Sequence, residues 1–472
     1  MGNATTASVT GVQVAPAKSA IRDLPIAKVW AFAVGQFGWA LLSGIISNWL
    51  VYFYQPDQET ISQGQTVFVP QGLVVLGIVT VVGGITAFAR FFDAFVDPAV
   101  ASLSDRCDAK SGRRMPFLKF AALPLAVVTV LVFWSPINGT SWVNAAFLFV
   151  TVIGYYIALT FYCTPYNALI AELGHDSKQQ LTISTAISFT WVAGTAIAYV
   201  APVIWGAFVP MMGRITAIRV TFTIMAAVAF VCMLVPPLAI REKDYVNSHP
   251  TSESTIESLK QTFGDGEFRK FVCSDVVYWV AITTFQTGLP FFVTSLLKLP
   301  ETTTTIYFVL MTGVSVLFYL PVNILANKVG KKRLLLVAFV IFTCAFAFAG
   351  ALGSAVLGFI PAMAQGLVLS VVGAIPMAAF GILPQAIVAN IADASSKTTG
   401  QDRQGMFYAA RTFAMKMGQS VAMLLFTGVS TIGMASGAGY RIAAVCAAVL
   451  CGRGGIVFAF YNEKKVLGVL ET

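Results

Sequence analysis

The sequence predicts an all-α polytopic membrane protein of twelve spanning helices in two six-helix halves. Three observations carry this expectation. First, 57% of the 472 residues are hydrophobic and only 11% are charged, whereas a soluble domain carries about 25% charge. Second, long apolar runs recur, among them 121–133, 147–159, 222–238 and 334–351, and a helical span needs about 20 mostly apolar residues. Third, a polar break at 239–267 divides the spans six and six.

The spans are expected near 27–54, 73–103, 116–135, 142–172, 181–207, 215–238, 268–297, 304–328, 333–353, 358–393, 404–430 and 438–461. Residues 1–25 are small and polar with scattered Lys and Arg and no apolar stretch of a signal peptide. They read as a disordered cytoplasmic tail, leaving the first span to direct insertion. The division that follows is an N-terminal six-helix bundle at 26–238, a cytoplasmic central loop at 239–267, a C-terminal six-helix bundle at 268–462 and a cytoplasmic tail at 463–472.

Charge sets the orientation. Arg106, Lys110, Arg113, Arg114 and Lys119 cluster after the second span. Lys328, Lys331, Lys332 and Arg333 cluster after the eighth, and Arg241, Lys243 and Lys260 lie in the central loop. Segment 55–72 has no Lys or Arg, and 136–141 has no charge. Basic loops stay inside, so both termini are expected in the cytoplasm of a multi-pass cell-membrane protein. Arg214, Lys298 and Arg441 fall on the wrong side of this scheme.

The net charge of +9 is explained by those loops and not by nucleic-acid binding. The seven cysteines show no paired or metal-ligand spacing, so neither disulfides nor zinc are expected. His175 and His249 are the only histidines, both in loops, and no His-Glu-x-x-His, Gly-x-Ser-x-Gly or phosphate-binding loop is present. An enzyme is therefore not expected, and no cofactor.

The second span holds Arg90, Asp93 and Asp97, spaced three and four apart and so on one helix face. Each ionised group near the bilayer centre costs roughly 2.5–3.5 kcal/mol on insertion scales, and such groups default to function. The basic turn after the second span (Asp105-Arg106, then Gly112-Arg113-Arg114) has a counterpart after the eighth, Asn327 to Arg333. Two halves repeated in this way are a transporter pattern.

The run Arg90-x-x-Asp93-Ala94-x-x-Asp97-Pro98, then Ser104-Asp105-Arg106 and Gly112-Arg113-Arg114-x-Pro116-Phe117, closely resembles the glycoside–pentoside–hexuronide:cation symporter family, the melibiose-carrier branch of the major facilitator superfamily. Pro165-Tyr166-Asn167-Ala168-Leu169-Ile170-x-Glu172-Leu173, Ala389-Asn390-Ile391-Ala392-Asp393, Gly400-x-x-Arg403-x-Gly405 and Phe413-Ala414-Met415-Lys416-x-Gly418 follow in the family's order. The resemblance implies a major facilitator fold. It implies cation coupling at Asp93 and Asp97, which can hold Na⁺ or a proton, with Thr160 as a hydroxyl ligand and Lys416 on helix eleven as a counter-charge. Arg90, Asp105, Arg106, Arg113, Arg114, Asp393 and Arg403 are expected in the charge network and a cytoplasmic gate, the arginines pairing with carboxylates across the halves.

The chain departs from the sugar carriers at three places. Trp39 and Ala40 replace an expected Lys-Asp region of helix one, Cys163 stands where helix four is expected to carry a carboxylate, and Ile187 and Ser188 stand near an expected helix-five Arg. A hard cation wants several oxygens, so the missing carboxylate makes H⁺ coupling at least as expected as Na⁺. The replacement solute contacts are expected from Gln36, Trp39, Asn48, Trp49, Tyr156, Tyr162, Cys163, Tyr166, Asn167 and Trp191, with Gln286, Gln365 and Gln385 from the other half. The expected activity is cation-coupled symport of a sugar or glycoside by a lipid-embedded carrier, functional as a monomer. The alternatives are a same-fold carrier of a non-sugar solute, a channel, a non-transporting sensor or a membrane enzyme.

Overall fold

The computed structural model describes residues 23–75, 77, 79–107, 109, 112–174, 177–246, 261–399, 404–433 and 436–471. Arg403, Lys110, Lys260, His175 and His249, named above, lie outside the described residues, as do Met1 to residue 22. Among the described residues, twelve helices are long enough to span. Numbered in chain order, they are α1 (Ile26–Tyr54), α2 (Val81–Asp105), α3 (Met115–Val132), α4 (Trp142–Leu173), α5 (Ser177–Met212), α6 (Arg214–Ala239), α7 (Gly266–Phe291), α8 (Thr302–Val329), α9 (Lys331–Ala351), α10 (Ala362–Thr399), α11 (Gln404–Val429) and α12 (Ala438–Ala459). Ten of them are apolar enough to count as membrane spans by composition. The two left out, α2 and α11, carry Arg90, Asp93 and Asp97, and Arg411 and Lys416.

The second helix starts later than expected. Residues 73–79 are apolar, but Gly72 and Gly77 adopt positive φ and Val75 bridges back to Val79, so this stretch turns. The helix begins only after Thr80, whose hydroxyl accepts from the Gly83 amide at 3.0 Å. Asp265 caps α7 in the same way, accepting from the amides of Glu267 and Phe268. Proline inside α2, α4, α5, α6, α8 and α10 is tolerated because neighbouring helices and side chains re-satisfy the freed backbone. The final residues expected as a tail form a short helix, Glu463–Glu471, against α10, with Val466 buried and Lys397 Nζ donating to the Leu470 carbonyl at 2.7 Å.

α1 and α7, the first helix of each half, are the most buried apolar spans, at 67% and 78% of their central windows. α1 packs on α5 and α6 where backbones come close: a Cβ at Gly194 would sit 2.6 Å from the Phe37 carbonyl oxygen, and one at Gly38 2.6 Å from that of Ala229. The halves meet along α2–α11, α5–α8 and α1–α7.

The internal repeat is visible at atomic level. Glu242 follows α6 and accepts from the backbone amides of Arg113, Arg114 and Met115 at 2.8–3.0 Å, at the start of α3. Glu463 follows α12 and accepts from the amides of Lys331 and Lys332 at 2.9 and 3.2 Å, at the start of α9. Each carboxylate meets the orphan N–H groups and positive dipole end of the third helix of its half. The preceding residues, Gly112 (φ 123°) and Gly330 (φ 96°), occupy a backbone region open to glycine, and a Cβ at Gly112 would lie 2.3 Å from Glu242 Oε2.

Replacing Glu242 with Ala removes three acceptor contacts from a buried helix start. Thermal unfolding of the purified protein should show a loss of about 1–3 kcal/mol, with Glu242→Gln retaining part of it. An unchanged midpoint for Glu242→Ala would show that the cap is dispensable.

Candidate functional site

Halfway along α2 and α11 the two halves are joined by charge. Lys416 Nζ lies 2.7 Å from Asp93 Oδ2 and 2.5 Å from Asp97 Oδ2. Helix α4 supplies a hydroxyl to each carboxylate: Thr160 Oγ1 donates to Asp93 Oδ1 at 2.5 Å, and Thr164 Oγ1 to Asp97 Oδ1 at 3.2 Å. The pairing follows from register, since Asp93/Asp97 and Thr160/Thr164 are both spaced i, i+4 and share a face. Asp93 is buried, and the Asp97 side chain keeps 26% of its exposure. Asp97 is therefore the more accessible of the two carboxylates.

Arg90 does not join the carboxylates. Its guanidinium donates to Gln419 Oε1 at 2.9 Å on α11 and to Ser47 Oγ at 3.3 Å on α1, and it lies 5.0 Å over the Tyr156 ring. Its Nε is buried without a partner among the described residues. Two carboxylates and two cations thus sit in one membrane layer, in two separate arrangements. Cys163 lies in the electrostatic field of Lys416, Asp97 and Asp93, where the expected carboxylate is absent. Among the described residues no group of three His, Cys, Asp or Glu is placed to hold a metal. The described oxygens gathered here are those of Asp93, Asp97, Thr160 and Thr164, and Lys416 Nζ bridges the two carboxylates.

The expected solute residues separate into two groups. Tyr162 and Tyr166 are fully buried and do not reach the site: their hydroxyls donate to the carbonyls of Met233 on α6 at 2.9 Å and Phe32 on α1 at 2.7 Å. Trp49 likewise donates to the Ala198 carbonyl at 2.8 Å, and Gln365 binds the 353–360 turn through the Gly353 amide and the carbonyls of Leu357 and Ile360. In this structure these four side chains serve as packing anchors. Their aromatic and amide character suits both roles, and only the partner distinguishes them.

The second group remains. Trp39 on α1 and Trp191 on α5 form a tilted pair with ring centroids 4.9 Å apart, and Trp39 Nε1 is buried without a described partner. One and two turns further along the same α1 face, Ser43 meets the Tyr155 hydroxyl at 3.3 Å and Ser47 meets Arg90. Gln36 and Asn48 are buried on α1, with Gln36 Oε1 and Asn48 Nδ2 lacking described partners. Gln286 is half-buried on α7, while Asn167 on α4 and Gln385 on α10 are exposed. An apolar groove of about 430 Å³ lies elsewhere, between α3 and α4, lined by Phe117, Phe120, Pro124, Gly154 and Phe161.

The described ion pairs of the basic turn stay within the first half. Arg113 Nη2 bonds Glu172 Oε1 at 3.0 Å, and Arg114 bonds Glu172 and Asp105 at 2.7–3.0 Å, so these described partners all belong to the first half. Arg106 is exposed, and Asp393 is half-buried on α10. Helix eleven also holds a second buried cation that composition hid: Arg411 pairs with Asp275 on α7 at 2.8 and 3.1 Å. Both members of this pair lie in the second half, and Asp275 was readable as a lone carboxylate in an apolar span.

Twelve helices in two repeated halves with an ionisable site at their seam are the architecture of the major facilitator superfamily. Residues 31–450 match the family described as "MFS/sugar transport protein", and the chain belongs to it, within the glycoside–pentoside–hexuronide symporters. It is 25% identical over 226 residues to the "Inner membrane symporter YicJ" of Escherichia coli (strain K12), covering 47% of each chain. It is 24% identical to the "Isoprimeverose transporter" of Lactiplantibacillus pentosus, over 37% of this chain and 33% of that one. These alignments span under half the length of the relatives. In fold it is similar to a bacterial homologue of the human drug peptide transporters PepT1 and PepT2 (TM-score 0.66, 10% identity, 95% and 99% of the two chains) and to the nucleoside transporter NupG (TM-score 0.61, 14% identity, 92% and 99%).

Tyr162→Phe and Tyr166→Phe should each lower thermal stability by about 1 kcal/mol through a lost buried hydrogen bond and leave solute affinity unchanged. Binding titrations beside unfolding curves check this. A lost affinity with intact stability would return these hydroxyls to the solute site.

Proposed function

We propose that the chain is a cation-coupled symporter that carries a sugar or glycoside across the cytoplasmic membrane by alternating access, with the coupling ion at Asp93 and Asp97. The observation that carries this reading is Lys416 shared by both carboxylates across the two halves. An ammonium in that position competes with any arriving cation. Binding of the ion displaces Lys416, frees the α2–α11 contact and lets the halves move. In the empty carrier Lys416 neutralises both carboxylates in place of the ion, so the site returns without a bare charge. Thr160 and Thr164 orient the carboxylates. Ion and solute raise each other's affinity by the same factor, as linkage requires.

A proton is the ion we favour. Two carboxylates and two hydroxyls are few ligands for a hard metal cation, while a carboxylate beside a displaceable ammonium suits proton exchange. The solute binds next to this site, on the Trp39–Trp191 pair and the Arg90, Ser43 and Ser47 face of α1 and α2. Aromatic faces stack on sugar rings, and the guanidinium and hydroxyls supply polar contacts. The loops bearing Arg106, Arg113, Arg114, Lys331 and Lys332 are cytoplasmic by the positive-inside rule, and both termini share that side. The carrier works as a monomer in the lipid bilayer.

Proteoliposomes with an imposed pH or Na⁺ gradient and a panel of radiolabelled glycosides test this reading. Asp93→Asn and Asp97→Asn should each cut uphill accumulation at least about tenfold while counterflow persists, because removing one partner of a buried charge set breaks coupling before it breaks binding. Undiminished accumulation in both variants would sink the assignment. Accumulation driven by Na⁺ alone would overturn the proton.

A further inference from the structure

Away from the coupling site, at the end of the bundle opposite the basic loops, a second set of buried charges joins the halves. Glu301, at the start of α8, is gripped by three elements of the first half. Arg214 at the start of α6 donates through Nη1 and Nη2 to its two oxygens at 3.0 and 2.7 Å, Trp205 Nε1 on α5 donates at 2.5 Å, and the Tyr52 hydroxyl on α1 donates at 3.0 Å. Arg214 Nε also reaches Gln65 Oε1 at 3.1 Å. The reverse arrangement lies alongside. Asp57 of the first half, 1% exposed, accepts from the Thr60 amide and hydroxyl and from the hydroxyls of Thr294 and Ser295 of the second half. Thr294 and Ser295 lie in a π-helical turn, 292–296, that ends α7, and such wide turns recur at functional sites. Thr60 Oγ1 lies 3.1 Å from the Tyr52 hydroxyl, so the two carboxylates share one network.

We propose that Glu301–Arg214 and Asp57–Thr294/Ser295 form the outer gate, a double latch that seals the extracellular side and whose strength sets how readily the site opens outward. The polar contacts between the halves that the structure describes run from the level of Asp97 to this end. Solute cannot pass between α1, α5 and α6 on one side and α7 and α8 on the other while Glu301 and Asp57 hold their partners. Each half inserts one carboxylate into the donors of the other, so opening must break both sets at once. Arg214 read as a stray positive charge on the outer side. Its position is explained by the buried carboxylate it meets. Loss of Glu301 alone leaves Arg214 buried and unpaired, which destabilises the closed form and favours the form in which water reaches it. The exposed pair Lys298–Glu59, 4.0 Å apart, also crosses the halves but is open to solvent and contributes little.

This inference rests on the alternating-access reading above, not on the choice of ion. The test uses the full-length carrier with its native cysteines replaced and spin labels at Asn138→Cys and Val356→Cys, exposed loop positions on the two halves at the outer end. Pulsed dipolar distances without solute or ion gradient read the outer gate directly. Glu301→Gln should raise the ratio of long to short distances at least about tenfold, and Asp57→Asn at least about threefold, shifts of a two-state equilibrium by one broken latch. Glu59→Gln should leave the distribution as in the parent. Asp57→Asn keeps the test alive should Glu301→Gln fail to fold. Parent-like distances in both latch variants, or an equal shift from Glu59→Gln, would overturn the gate. Shifted distances in the latch variants together with undiminished uphill accumulation in Asp93→Asn and Asp97→Asn would count against the coupling site and not against this latch.

Discussion

The shared ammonium of Lys416 is the constraint on which the rest of the molecule depends. Asp93 and Asp97 belong to α2 and Lys416 to α11, so the contact that neutralises the membrane interior also fastens one half to the other. Removing one member of such a buried set costs about 3–5 kcal/mol. Ordinary thermal motion parts the halves rarely at this level, and on the proposed reading a competing cation lowers that cost. Ion binding and conformational freedom become one event because they use the same carboxylate oxygens. Thr160 and Thr164 make the exchange specific in place, since each hydroxyl fixes the unshared oxygen of one carboxylate.

The scaffold around this contact is built to hold still while the seam moves. Inside each half, helix ends are tied by carboxylates that do not cross the seam: Glu242 on α3, Glu463 on α9, Glu172 with Arg113 and Arg114, and Asp275 with Arg411. Buried tyrosines serve the same end, with Tyr162 and Tyr166 fastening α4 to α6 and α1. A half whose helix ends are satisfied internally is suited to moving as a unit. What differs between conformations is then confined to contacts that cross the seam.

The part of this design that the sequence disclosed is the part governed by local rules. Twelve spans follow from apolar length, which each segment must satisfy alone. Asp93 and Asp97 stood out because charge in an apolar helix is costly wherever it lies, and Thr164 was within reach of the same reasoning, one turn from Thr160. The start of α2 was misread because composition does not record that Gly72 and Gly77 turn the chain. The partners were hidden for a different reason. Arg214 and Glu301 are 87 residues apart, and Arg411 and Asp275 are 136 apart; nothing in either neighbourhood names the other. Arg113 and Arg114 were placed across the seam because their charge allowed it, whereas Glu172, on the same half, was already at hand.

Two charged contacts in series at one seam impose an order of events. The central one is open to competition, because Asp97 is partly exposed and an ion takes the place of Lys416. The outer one is not: Asp57 and Glu301 are almost wholly buried, and each is held by donors from several helices. On the proposed reading, an ion entering from the basic side meets the accessible contact before the sealed one. Unlocking the centre lowers the total cost of parting the halves, and the outer network then yields only when the whole seam gives way. The outer network thus sets the threshold and the central pair decides when it is crossed, so a change in either alters transport without touching the solute.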